Sequence, residues 1–180
     1  MPRSSANAAR FWSVVATVLV ADYLTKRWAE SSLLPRNSVR EVFGDWVQWR
    51  LVYNPGAAFG LYLGEYSRWI FMALTVGALF VLWQLYRTTR EGDTPRVVAL
   101  ALVCAGAVGN LIDRVRSSNG VVDFIDVGVG DMRWPTFNVA DMGVSVGAFL
   151  LAWVLWGEDA HATAPATAGA TAAAPEGKGT

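Results

Sequence analysis

The chain has 180 residues, 53% of them hydrophobic, and its 15 basic and 15 acidic side chains cancel to a formal net charge of zero. The apolar residues come in blocks and mean hydropathy is positive, at +0.31, which fits one domain built for a bilayer rather than a soluble core. Neutral charge without a basic, aromatic-laced stripe excludes a nucleic-acid binder, and a lone cysteine, Cys104, excludes an internal disulfide and a zinc cluster.

Four apolar runs each approach the ~20 residues needed to cross a hydrocarbon core. The first, residues 11–28, follows a short N-terminus (1–10) bearing Arg3 and Arg10. Its stretch "VLVADYLTKRW" offers no small-residue cleavage site and runs through Asp22 into charged residues, so an uncleaved helix is predicted. Residues 38–53, "SVREVFGDWVQWRLVY", alternate loosely and end at a turn, "NPG"; two short strands resting on the outer leaflet are predicted there. The second span covers 69–86 and the third 96–112, where "VVALALVCAGAVGNLI" supplies small residues that let helix backbones approach closely. The connection 114–137 is expected to fold over the mouth of the bundle as a lid. The fourth span is 138–156, and residues 157–180 form a low-complexity tail, predicted to be disordered and cytoplasmic, that contains the one histidine, His161.

Loop charge sets the expected orientation. Arg87, Arg90 and Arg96 lie between spans two and three, so positive-inside reasoning puts that loop and both termini in the cytoplasm, although Lys26 and Arg27 pull the other way. The outward-facing ends then carry "DYLTK", "NPGAAFG", "GNLIDR" and "NVAD". Ionisable groups at such depth imply function by default. Each also has an ordinary structural reading. Asp22 and Lys26, four residues apart, make a salt bridge; Asp113 pairs with Arg114; Asn54, Pro55 and Gly56 form a turn. Asn138 caps the fourth helix, and Asp141 sits in its first turn, where the helix dipole favours a carboxylate.

Elimination narrows the chemistry. The only histidine is in the tail, no G-x-S-x-G or H-E-x-x-H occurs, and no serine is placed to partner Lys26, so serine, cysteine and zinc hydrolases drop out. Aspartates remain: two carboxylates in a low-dielectric site share a proton, and such a pair hydrolyses an amide without metal or cofactor. Periodicity does not choose among Asp113, Asp123 and Asp126. A small transporter would place carboxylates near the midplane rather than at one face, and a structural scaffold would tolerate their loss.

The motifs "DYLTK", "NPGAAFG", "GNLIDR", "VVDFI" and "FNVAD", in this order across four spans, resemble bacterial lipoprotein signal peptidase (signal peptidase II) over residues 11–156. The resemblance implies an all-α membrane protein: a four-helix bundle with a small extracytoplasmic sheet and a lid. It implies a monomeric inner-membrane aspartic endopeptidase, free of metal and cofactor, with its site facing the periplasm or cell exterior. Its substrates would be prolipoproteins, cut before the diacylglyceryl-cysteine. It maps the catalytic pair onto Asp123 and Asp141, and site support or substrate contact onto Asp22, Lys26, Asn54, Gly56, Asn110, Asp113, Arg114 and Asn138. Two departures, Gly106-Ala107 for a Gly-Gly and Pro55 in the "N-x-G" slot, remove no polar group.

Overall fold

Four long apolar segments free of internal proline breaks form helices in the computed structural model, which describes residues 5–56 and 63–162. Helix α1 is Ser5–Ser32, α2 Ser67–Thr88, α3 Thr94–Arg116 and α4 Val139–Ala162. All four are long and apolar enough to cross a membrane. Each extends beyond the predicted span at one or both ends, because charged and polar end residues continue the helix past the apolar run. At its C-terminus α4 takes in residues 157–162, so this part of the expected tail is helical and not disordered; the rest of that predicted tail lies outside the described residues.

α3 packs on each of the other three helices. Small residues on both sides bring α3 and α4 close: a Cβ on Gly106 of α3 would stand 2.2 Å from the Ala140 carbonyl oxygen, and one on Gly147 of α4 would stand 2.8 Å from the Ala99 carbonyl oxygen. The close approach expected from the Ala/Gly-rich run is therefore present. At the end of the bundle carrying the N-terminus of α1, Phe11 stacks on Tyr86 (centroids 4.2 Å apart) above Val97 and Leu100. Asn7 there donates to the Arg90 carbonyl, and Arg96 pairs with Asp93 and Glu158.

At the opposite end lies an antiparallel sheet of order β1-β2-β3-β4: β1 Arg40–Phe43, β2 Val47–Asn54, β3 Val121–Val129 and β4 Met132–Arg133. The expected strand pair is β1 and β2. The expected lid, in contrast, supplies half the sheet: "VVDFIDVGV" is β-branched and apolar enough to pair along β2. Leu51, Val122 and Phe124 close on Ala29 of α1 and Leu33 just after it, which fixes the sheet to the bundle.

Candidate active site

Two groups of polar side chains meet where α1, α3, α4 and the sheet converge. The first centres on Lys26, buried at 3% exposure. Its ammonium reaches Asp22 Oδ2 and Asp113 Oδ2, each at 2.8 Å, and Asn110 Oδ1 at 3.0 Å. Asp22 Oδ1 also accepts the Ala140 N–H (2.9 Å), and Asp113 Oδ2 accepts the Val122 N–H (3.2 Å). One buried cation thereby ties α1 to α3, while the two carboxylates take backbone amides from α4 and β3. The Asp22–Lys26 bridge is present as expected. Asp113, however, pairs with Lys26 and not with Arg114, whose guanidinium instead donates to the carbonyls of Gly56 (2.7 Å) and Asn110 (3.3 Å).

The second group surrounds Asp123, which β3 carries inward; its side of the strand is buried and it is 3% exposed. Asn138 Nδ2 donates to Asp123 Oδ1 at 2.7 Å, and Asn54 Nδ2 to Asp123 Oδ2 at 3.2 Å. Asn54 ends β2, opposite Val121, and its Oδ1 accepts the Gly56 N–H in a side-chain turn. Gly120 makes that approach possible: its φ is +100°, and a Cβ there would stand 2.1 Å from the Asn54 carbonyl oxygen.

Asp141 lies in the first turn of α4. It accepts from Asn110 Nδ2 (2.7 Å) and from the Asn138 backbone N–H (3.1 Å), while Asn138 Oδ1 accepts the Asp141 N–H (2.9 Å). Asn138 and Asp141 thus form a reciprocal capping box, and the cap residue also bridges toward the other aspartate. Asn138 Nδ2 lies 3.1 Å from Asn110 Oδ1, so two amides link Asp123 to Asp141. The N-cap reading of Asn138 and the first-turn reading of Asp141 both hold, and both residues also belong to the site.

The three aspartates that periodicity left equivalent now differ. Asp113 faces Lys26. Asp126 faces Arg133 Nε at 2.7 Å and Arg50 Nη1 at 3.9 Å. Asp123, like Asp141, has no basic side chain within salt-bridge distance among the described residues. Burial first, and the nearby Asp141 charge second, push the Asp123 carboxyl from 3.8 up to about 7. A carboxyl so placed carries or releases a proton at neutral pH.

Both aspartates line a cavity of about 500 Å³ with Asn54, Asn110 and Arg114. Its other wall comes from Trp134–Phe137, ahead of α4, and from Met142 and Val146 on α4's outer face. These wall residues were not singled out in the sequence. Only their chain proximity to Asn138 hinted at them, since apolar lining looks like lipid-facing surface. Of the candidate residues, Asp22, Lys26 and Asp113 form the buttress behind the cavity, and Gly56 reaches it through Arg114. Residues 57–60 of "NPGAAFG" fall outside the described residues.

Comparison with known proteins identifies the family. A family model described as signal peptidase (SPase) II matches residues 14–157. A lipoprotein signal peptidase of Polynucleobacter necessarius is 36% identical over 158 residues, covering 86% of this chain and 91% of that protein. Another, from Hydrogenovibrio crunogenus, is 40% identical over 155 residues, covering 84% and 87% respectively. A solved bacterial membrane enzyme structure superposes with a TM-score of 0.75 at 28% identity, covering 84% of this chain and 90% of that one. With the motifs and both aspartates inside the matched segment, the chain belongs to the signal peptidase II family.

Proposed function

We propose that Asp123 and Asp141 are the catalytic pair with which this membrane aspartic peptidase removes signal peptides from prolipoproteins, cutting before the diacylglyceryl-cysteine. The observation that carries the assignment is that neither forms a salt bridge among the described residues, although Arg114 lines the same cavity. Every other aspartate in the cluster is neutralised by a lysine or arginine, whereas these two share one cavity and are linked only by amides. Asp141 takes a proton from a water held between the carboxylates as that water attacks the scissile carbonyl. Asp123, protonated, donates a hydrogen bond to the carbonyl oxygen. The proton then passes to the leaving amine, and the pair again shares one proton. Asn54, Asn110 and Asn138 keep both carboxylates in register without adding charge.

The apolar wall gives the signal helix and its acyl chains a lipid-continuous approach, and Arg114 and Asn54 frame the polar end. One chain supplies the whole site, so the enzyme acts as a monomer. In this reading the site opens at the outer face of the inner membrane, and both termini are cytoplasmic. The alternating helices support it, since they bring the N-terminus of α1, the 89–93 loop and the C-terminal part of α4 to one end. The purified enzyme should shorten a diacylglyceryl-modified prolipoprotein and leave the same precursor uncut when its cysteine is unmodified. Equal cutting of both would remove the lipid from substrate recognition.

A further inference from the structure

Burial favours the proton on Asp123, which is 3% exposed. The hydrogen bonds around Asp141 add a second asymmetry. It begins at Lys26, a residue that does not line the catalytic cavity.

A side-chain amide has one accepting end and one donating end, so the group at one end decides what the other end offers. The Asn54 and Asn138 oxygens accept backbone N–H groups, from Gly56 (3.0 Å) and Asp141 (2.9 Å), which turns both NH2 groups toward Asp123. The Asn110 oxygen instead accepts from the Lys26 ammonium at 3.0 Å, as well as from Asn138 Nδ2 at 3.1 Å. An ammonium only donates. Asn110 therefore cannot flip while Lys26 is in place, and its Nδ2 must point to Asp141 Oδ1, 2.7 Å away.

The ammonium is itself aimed. Its N–H bonds are matched by three acceptors: Asp22 Oδ2 and Asp113 Oδ2, each at 2.8 Å, and the Asn110 oxygen. Asp22 is fixed by the Ala140 N–H and Asp113 by the Val122 N–H. The two carboxylates thus hold the cation in place and leave its remaining N–H for Asn110. A tie between α1 and α3 needs only Lys26 and Asp113; the bond to Asn110 extends that tie into the site. Arg114, the cation that does line the cavity, donates to the Gly56 and Asn110 carbonyls and, among the described residues, to neither aspartate.

Hydrogen bonds in series polarise one another where the dielectric is low. A cation on the Asn110 oxygen makes the amide N–H a stronger donor, and a carboxylate that receives such a bond is favoured in its accepting form. With the Asn138 N–H on Oδ2 at 3.1 Å, both Asp141 oxygens receive N–H groups from the protein side, leaving their other lone pairs for the cavity. We propose that Lys26 is a positioning residue that acts through the Asn110 amide to make Asp141 the proton acceptor of the pair. Its charge reaches the site from behind the cavity wall, through one amide. The inference rests on the assignment of Asp123 and Asp141 as the catalytic pair.

Replacing Lys26 alone strands two carboxylates, so the test neutralises all three groups together, as Asp22→Asn/Lys26→Met/Asp113→Asn. Its reference is Asp113→Asn, which keeps Lys26 and one carboxylate to balance it, so neither enzyme carries net charge in the triad. Both are assayed for kcat and KM on a lipid-modified prolipoprotein, alongside thermal melting, with Asp123→Asn and Asp141→Asn as controls. The triple variant should lose about tenfold or more in kcat relative to Asp113→Asn, with KM within about twofold. Asn110→Asp keeps the side-chain size and the contact with Lys26 but offers Asp141 an oxygen in place of an N–H. It should fold and lose kcat to a similar extent, and it decides the question should the triple variant fail to melt cooperatively. A triple variant whose kcat matches Asp113→Asn, or whose loss lies in KM, would overturn the inference and leave Lys26 a structural bridge. A fully active Asn110→Asp would overturn it too. Cleavage by Asp123→Asn or Asp141→Asn would instead overturn the pair, and this inference with it.

Discussion

At Asp123 the cost of burying charge has a consequence that runs through both activity and stability. Its carboxyl is pushed up to about 7 by burial and by Asp141. Because the folded value is raised, its contribution to stability is complete below 3.8 and is lost as pH rises through about 7. Asp123→Asn removes that penalty, so its melting temperature should exceed that of the unaltered protein at about pH 8 and not at about pH 4. Cleavage by the unaltered enzyme should fall as pH climbs above about 7, because the shared proton is lost; a rate still rising at higher pH would contradict a protonated Asp123. Asp113 behaves differently, since its partner is Lys26. Asp113→Asn leaves Lys26 paired with Asp22 and should cost ~1–3 kcal/mol in thermal melting. Lys26→Met strands two buried carboxylates and should cost about 3–5 kcal/mol. The residue types of the site were legible in the sequence, and the Asp22–Lys26 pair was legible from spacing alone. The choice among Asp113, Asp123 and Asp126 was not, because it depends on cations that only folding brings near.

Among the elements, the four helices announced themselves by length and hydropathy, and the first strand pair by alternation. β3 did not. Its β-branched run between Gly120 and Gly130 suits a strand, but its partner β2 lies two spans away in sequence, so the pairing that places it in the sheet is not legible there. The α3–α4 contact is testable as an element. A Cβ on Gly106 meets the backbone of Ala140, the residue before Asp141, and backbone cannot swing aside. Gly106→Ala should therefore destabilise by ~1–3 kcal/mol. It should also lower cleavage by up to about 10²-fold, because displacing the first turn of α4 misplaces Asp141. A variant with normal melting and normal rate would show that the helices separate without moving the site.

For the whole molecule, chain order scatters the site over α1, β2, α3, β3 and α4, and only alternate crossing of the membrane gathers it at one end. Reporters active outside the cytoplasm should light up when fused after residue 65 or within 117–120, and stay dark within 91–94. The reverse would put the site on the cytoplasmic face. Removing residues 163–180, which lie beyond the described end of α4, should leave cleavage intact. The central claim, that the two aspartates without a salt bridge do the chemistry, is tested most directly by following one lipid-modified prolipoprotein through a set of neutralised enzymes. Asp123→Asn and Asp141→Asn should each abolish cleavage while still folding, with the double variant no worse than either, since paired groups are non-additive. Asp113→Asn and Asp126→Asn should retain turnover and lose stability. A fully active Asp123→Asn beside a stable but inactive Asp113→Asn would contradict the account.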